Sequence, residues 1–199
     1  MCEYCKMIPV LIALVLYLLP TYREPRVIKN FVTDEERQHI MRRAEGSLKT
    51  SEVSKSRVVK EDVRKSETAW LGREDPVVRR VIERCLKLTD RPIVNCEKLQ
   101  VLRYESGGYY KPHQDAFVDD ENMRLYTFIL ALNDGYDGGE TVFPNIKKSY
   151  RLNAGDALFF DTLDNYEMMT SKALHGGNPV KSGEKWICNL WVRKYPFTS

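Results

Sequence analysis

Apolar positions recur at helical spacing in two stretches of the first half of the chain and at strand spacing through most of the second. Thr33 followed three residues later by Glu36 is a capping-box signature, and it predicts an amphipathic helix through Ile40 and Met41 that Gly46 ends. Asp75 and Pro76 read as the N-cap and first position of a second helix. Its Val77, Val78, Val81, Ile82 and Leu86 mark one apolar face down to Leu88. Beyond Cys96 the pattern predicts strands at Leu99–Glu105, Arg124–Asn133, Thr141–Phe143, Asp156–Asp161, Ala173–His175 and Lys185–Arg193. Turns such as Ser106-Gly107-Gly108, Asp137-Gly138-Gly139 and Gly176-Gly177 separate short strands at the spacing of an antiparallel sandwich or jelly roll. The expected class is mainly β with flanking helices (α+β), a jelly-roll core preceded by N-terminal helices.

Ahead of this domain, Met7 to Pro20 is an uncharged apolar run. As a helix it spans roughly 21 Å at about 1.5 Å per residue, short of a bilayer core of about 30 Å. A signal-peptide hydrophobic region fits that length, but the following TYREPR offers no small-residue cleavage site. An uncleaved signal anchor over residues 1–24, with membrane anchoring through residues 7–20, is therefore expected ahead of a domain over 25–199; a buried N-terminal helix is the alternative. Lys6 on one side and Arg23, Arg26 and Lys29 on the other leave its orientation open.

Composition narrows the function classes. A net charge of +3, from 31 basic and 28 acidic side chains, provides no broad cationic surface for nucleic acid. Five cysteines are too few and too irregularly spaced for a disulfide scaffold. Cys85 and Cys96 are either a bonded pair or two small buried hydrophobes, and Cys2 and Cys5 are half a zinc motif or acylation sites.

Only three histidines occur, and His113 stands two residues before Asp115. On a strand those two positions share a face, so both can reach one ion, with His175 as a third ligand from a facing strand. Two imidazoles and a carboxylate leave coordination positions open, which suits iron(II) better than a closed zinc site. Lys185 opens a strand on which Ile187, Asn189, Trp191 and Arg193 share its face. Facing inward, its ammonium needs an anion such as a dicarboxylate; facing outward, it is a solvated lysine with Trp186 buried.

The segments YESGGYYKPHQD, RLYTFILALNDGYDGGETVFP, GDALFFD and ALHGGNPVKSGEKWICNLWV together resemble the catalytic domain of prolyl 4-hydroxylases, most closely from Gln100 onward. That family consists of iron(II)- and 2-oxoglutarate-dependent dioxygenases, and the likeness is to its compact algal and viral collagen-type members. The resemblance implies hydroxylation of peptidyl proline at C4 in proline-rich or collagen-like sequences, with O2 consumed, succinate and carbon dioxide released, and ascorbate as reductant. It implies iron on His113, Asp115 and His175, and 2-oxoglutarate on Lys185, Tyr104 and Thr127. Tyr110 and Trp191 fall where the family places aromatic walls around the target proline. Arg193, where some relatives have histidine, lies on the same strand face and is counted with the substrate side. The segment RKSETAWL resembles the stretch before a substrate-covering loop, and no role in the chemistry is assigned to it. The same iron and cosubstrate could serve another protein side chain or a small molecule, and a jelly-roll module without turnover is the non-enzymatic reading. A collagen-type enzyme with an uncleaved signal would sit on the endoplasmic reticulum membrane facing the lumen.

Overall fold

Both predicted helices form, and their caps explain why. In the computed structural model, which describes residues 18–52, 60 and 62–198, helix α1 runs Asp34–Glu45 and α2 runs Pro76–Leu86. Thr33 Oγ1 accepts from the Glu36 amide at 3.3 Å, and Glu36 Oε2 accepts from the Thr33 amide at 3.1 Å. The same buried Glu36 carboxylate accepts two bonds of 2.7 Å from Arg84 of α2, so one side chain caps the first helix and locks it to the second. Asp75 caps α2 through the amides of Val77 and Val78, at 2.9 and 3.2 Å. His39 Nε2 lies 2.8 Å from Asp75 Oδ2. That contact accounts for the third histidine as part of the helix pair.

Seven strands form a major sheet in the order β1 (Arg26–Ile28), β11 (Ala157–Asp161), β7 (Arg124–Ala131), β14 (Lys185–Arg193), β5 (Leu99–Tyr104), β4 (Glu67–Leu71) and β2 (Lys49–Thr50). Five more form a minor sheet: β10 (Lys148–Tyr150), β9 (Thr141–Phe143), β12 (His175–Gly177), β6 (Tyr109–His113) and β3 (Arg64–Lys65). A short pair, β8 (Asp137–Gly138) and β13 (Val180–Ser182), closes one end. The expected jelly roll with flanking helices is what the chain builds.

Strand alternation divides the major sheet into two apolar faces. Val101, Phe128, Leu130, Phe159, Cys188 and Leu190 point outward and are buried with Ile40, Val78, Val81 and Ile82 of the helices. Leu102, Ile129, Phe160 and Ile187 point inward and pack with Phe143 of the minor sheet. Each such side chain contributes about 1.5–3 kcal/mol on burial. The outward set includes Trp186, so period-two geometry turns Lys185, Asn189 and Trp191 into the sandwich. The choice left open by the sequence falls to the buried lysine, which is 5% exposed.

Several boundaries move. The strand expected at Ala173–His175 begins at His175, because Ser171–Ala173 forms a single 3-10 turn whose Lys172 amide donates to the Thr170 hydroxyl. Strand β6 ends at His113, so Asp115 lies beyond it rather than two places along the same strand. Cys85, Cys96 and Cys188 are free and buried, which selects the hydrophobe reading for the first two; burial pushes the Cys96 thiol up to about 12. No helix among the described residues is long and apolar enough to cross a membrane. Most of the apolar run expected as an anchor, and Cys2 with Cys5, lie outside the described residues.

Candidate metal centre and anion pocket

Strands β6 and β12 pair so that His113 and His175 stand opposite each other. Close approach depends on Gly176, where an added Cβ would fall 2.9 Å from both the Pro112 nitrogen and the Tyr110 carbonyl oxygen. The chain returns beyond His113 to bring Asp115 underneath, and the ligating atoms of His113, Asp115 and His175 lie within 4.8 Å of one another.

The hydrogen bonds around this trio prepare it for a cation. His113 Nδ1 is 2.9 Å from the Lys111 carbonyl and His175 Nδ1 is 3.1 Å from the Ala173 carbonyl. A carbonyl only accepts, so each Nδ1 carries the hydrogen and each Nε2 keeps its lone pair, the tautomer that a metal needs. Both Nε2 atoms lie 3.7 Å from Asp115, one from each carboxylate oxygen. Burial and the neighbouring His175 hold His113 well below the usual imidazole range. Burial by itself would raise Asp115, but the two imidazoles, Arg124 and the Thr127 hydroxyl outweigh it and keep the carboxyl ionised. Two imidazole nitrogens and one buried carboxylate fit a divalent ion with further positions open to other ligands, as iron(II) requires.

Two expected site residues hold this carboxylate directly, and a third is tied to the acids around it, in ways their sequence positions did not reveal. Thr127 and Trp191 are partners across β7 and β14, and both donate to Asp115 Oδ2, Thr127 Oγ1 at 2.7 Å and Trp191 Nε1 at 2.9 Å. The single Thr127 proton, expected on a cosubstrate carboxylate, is thus directed at Asp115. Trp191, expected as an aromatic wall, is buried with its N–H on the same oxygen and the Arg124 guanidinium 3.6 Å from its ring centroid. Arg193, expected on the substrate side, is held by Glu97 at 2.8 Å, Asp120 at 2.9 Å and the Asn122 carbonyl at 2.6 Å. Glu97 also accepts from Arg124 twice, at 2.7 and 2.9 Å, so this buried acid is shared by the two guanidiniums. Replacing Trp191 by phenylalanine keeps a ring but removes the donor, and should weaken divalent-metal binding roughly 10- to 100-fold in a direct titration.

On the far side of the inner face, Lys185 sits opposite Tyr104 in the β14–β5 register, with Nζ 5.5 Å from the tyrosine ring centroid. Nζ donates to the Gly139 carbonyl at 2.6 Å, and among the described residues no carboxylate lies within ion-pair range of it. Gly139 holds φ at +66°, and an added Cβ would sit 3.1 Å from the lysine's own Cδ, so glycine shapes this pocket. Burial and then Arg151 push the Lys185 ammonium down to about 8, against a smaller opposing pull from Glu140. A buried ammonium bonded to one neutral acceptor would be stabilised by an anion beside it.

Tyr110 stacks on His113 at 3.7 Å between centroids, and Arg64 lies 4.7 Å over the Tyr110 ring. Arg64 is buried, donates from Nε to Ser66 Oγ at 2.9 Å, and has one terminal nitrogen without a partner. Sequence reasoning missed Arg64, Glu97 and Arg124, since a charged residue at the start of a strand or in a connection reads as solvent-facing until its neighbours are known. Tyr104, Tyr110, Lys185 and the metal trio all meet in one sandwich interior.

Comparison with known proteins gives the same picture from another direction. Residues 99–193 match the 2OG-Fe(II) oxygenase superfamily. The chain is 33% identical over 188 residues to a protein of Acanthamoeba polyphaga mimivirus named as a prolyl 4-hydroxylase, covering 89% of this chain and 77% of the viral one. It is also 33% identical over 196 residues to prolyl 4-hydroxylase 1 of Arabidopsis thaliana, covering 85% of this chain and 69% of the plant protein. Among solved structures, the viral collagen prolyl hydroxylase of Paramecium bursaria Chlorella virus-1, in complex with 2OG, superposes with a TM-score of 0.72 at 29% identity over 87% of this chain and 97% of that one.

Proposed function

This chain belongs to the prolyl 4-hydroxylase family of the 2OG-Fe(II) oxygenase superfamily, and from that premise we propose that it hydroxylates C4 of peptidyl proline in proline-rich or collagen-like sequences. The observation that carries the reading is the pairing, inside one sandwich, of a buried His-Asp-His trio with a buried ammonium that has no carboxylate partner among the described residues. Iron(II), with 2-oxoglutarate and O2, supplies the oxidising power that converts the C–H bond, leaving succinate and carbon dioxide; ascorbate is the reductant expected to sustain it.

The chain's own residues do the positioning. Two imidazoles with fixed tautomers and the ionised Asp115 hold the ion, while Thr127 and Trp191 fix the carboxylate that they donate to. Lys185 takes the distal carboxylate of 2-oxoglutarate through a charge-assisted bond, with the Tyr104 hydroxyl beside it as a further donor. Tyr110, between Arg64 and His113, flanks the reacting proline. A proline-rich peptide suits such a wall because it is already extended and loses little entropy on docking. We assign the apolar run of residues 7–20 to membrane anchoring on its composition, and place the catalytic domain in the endoplasmic reticulum lumen only on its resemblance to collagen-type enzymes, since the flanking charges set no orientation.

The lysine gives a pH dependence with a definite sign. The distal carboxylate needs the charged form, so affinity for 2-oxoglutarate is full below about 8 and lost as the pH rises through that value. Above it the apparent affinity should fall roughly tenfold per pH unit. A titration of 2-oxoglutarate between pH 7 and 9.5 reads this directly, and Lys185→Arg, which keeps its charge, should flatten the profile. Incubation with proline-rich peptides, iron(II) and 2-oxoglutarate, followed by mass spectrometry, tests the reading as a whole. Turnover confined to other substrates would leave the oxygenase and remove proline as its target.

A further inference from the structure

Four large apolar side chains that the fold leaves in water stand together, and none of them belongs to the metal centre or the lysine pocket. Leu18 and Leu19 are 57% and 49% exposed, Tyr166 is 49% and Met168 is 62%. The first two belong to the apolar run of residues 7–20, whose last three residues are described. The other two form the tip of the loop that leads from β11 to the turn before His175. Three hydrogen bonds join the two segments. The Tyr166 hydroxyl donates to the Leu18 carbonyl at 2.9 Å, the Thr21 amide donates to Asn165 Oδ1 at 2.6 Å, and the Asn165 amide donates to the Thr21 carbonyl at 3.1 Å. The apolar run therefore meets the domain against this tip.

Within the tip the polar groups are turned inward. Asp164 Oδ1 accepts from the Tyr166 and Met168 amides at 2.9 and 3.0 Å, and the Asp164 amide donates to the Met168 carbonyl at 2.9 Å. Glu167 holds φ at +55°, a left-handed conformation uncommon outside glycine. Its carboxylate pairs with Lys194 and lies 3.8 Å from Arg91, while Tyr166 and Met168 on either side stay exposed. Asp161 accepts from Arg23 twice, at 2.7 and 3.0 Å. With these charges engaged, the tip offers water two leucines, a methionine and a tyrosine ring. An amphipathic ring of this kind suits the boundary between lipid and water. The root of the loop is firm: Leu163 and Met169 form a bridge and pack with Ala116, the residue after Asp115.

We propose that Leu18, Leu19, Tyr166 and Met168 are a bilayer-docking surface, seated at the boundary of headgroups and acyl chains, that fixes how the catalytic domain stands on a membrane. The inference rests on the membrane-anchoring assignment above and deepens it from a tether to a seat. Lipid is the occupant because the patch is continuous with the run that enters the bilayer. Once that run inserts, the bonds at Leu18 and Thr21 bring the tip to the lipid surface. The run spans only roughly 21 Å as a helix, against about 30 Å of bilayer core, so further apolar contact at the boundary adds to its hold. Because its charges are paired, the surface needs no anionic headgroup, and phosphatidylcholine is sufficient.

The test uses the full chain with Cys2→Ser and Cys5→Ser, which leaves only buried thiols, and one introduced cysteine carrying a fluorescent dye. Met168→Cys places the dye on the tip. Lys181→Cys on β13 is the reference, since β13 lies at the Lys185 end of β14 and the tip pairs with Lys194 beyond the other end. On phosphatidylcholine vesicles, quenching by aqueous iodide should fall severalfold for the dye at position 168 and stay unchanged at 181. In the otherwise unaltered chain, Met168→Asp should weaken vesicle binding roughly tenfold and leave turnover of soluble peptides unchanged. Equal quenching at the two sites in vesicle-bound protein overturns the inference and leaves the anchoring assignment standing. A dye at position 168 that is already shielded before lipid is added means that the chain's own apolar run covers the patch, which also overturns it. Failure of the full chain to associate with vesicles overturns both.

Discussion

Replacing His175 by alanine is expected to abolish 2-oxoglutarate turnover and to weaken iron(II) binding by more than ~100-fold, since loss of a mere orienting neighbour already costs 10- to 100-fold. The reason lies in how little redundancy surrounds the trio. The third histidine, His39, is bonded to Asp75 at the helix pair, so no other imidazole among the described residues can substitute. Asp115 would keep both its donors and its charge but lose one of the two nitrogen lone pairs facing it. Iron titration separates this outcome from general unfolding: the variant should melt cooperatively yet show no stabilisation by metal, whereas the unsubstituted chain gains stability with each increment of bound ion.

The second large effect is on Lys185, where binding and stability should move in opposite directions. Exchange for methionine removes a charge-assisted bond of about 1.5–3 kcal/mol and should raise the KM for 2-oxoglutarate roughly 10- to 150-fold. The same exchange should stabilise the fold. The ammonium sits at about 8 rather than its ordinary 10.5, so the folded state holds its proton less tightly than the unfolded state does. Below about 8 the cost of burying the charge is present in full, about 3 kcal/mol from the size of that shift, and it disappears as the pH rises from 8 towards 10.5. At pH 7, therefore, Lys185→Met should melt several degrees higher, at roughly 2–4 °C per kcal/mol for a chain of this size. The gain should shrink above pH 8. Saturating 2-oxoglutarate should stabilise the unsubstituted enzyme far more than the variant, because only the former gains an anion for its buried cation.

The two helices were legible because their end signals are local: Thr33 and Glu36, and Asp75 with Pro76, each act within four residues. The long strands were legible because alternation over six or more residues is a strong pattern. The short strands β4 and β6 were not, since five residues with mixed charges carry little periodicity; their form comes from pairing with β5 and β12. The direction of Lys185 could not be read either, because β14 is apolar on both faces and only the position of the helices decides which face is outside.

At the centre the sequence identified the three candidate ligands through the scarcity of histidine, and the structure brings all three together. What it could not show is the division of labour among the residues around them. Thr127, Trp191 and Arg124 converge on one carboxylate from two strands, and Glu97 ties Arg124 to Arg193 across a separation in sequence that no local pattern encodes. Arg193 was counted with the substrate side by resemblance, where some relatives have histidine, and the ion pairs that hold its guanidinium, to acids on two other segments, were not legible.

The central claim is that the trio and the buried ammonium work as one machine on peptidyl proline. The most direct measurement is the mass of a proline-rich peptide after incubation with the full chain, iron(II), 2-oxoglutarate and O2, with succinate quantified in the same sample. The account predicts a gain of about 16 Da on proline, one succinate released per hydroxyl formed, and loss of both when iron or 2-oxoglutarate is omitted. An unmodified peptide beside succinate release that is indifferent to its presence would contradict it.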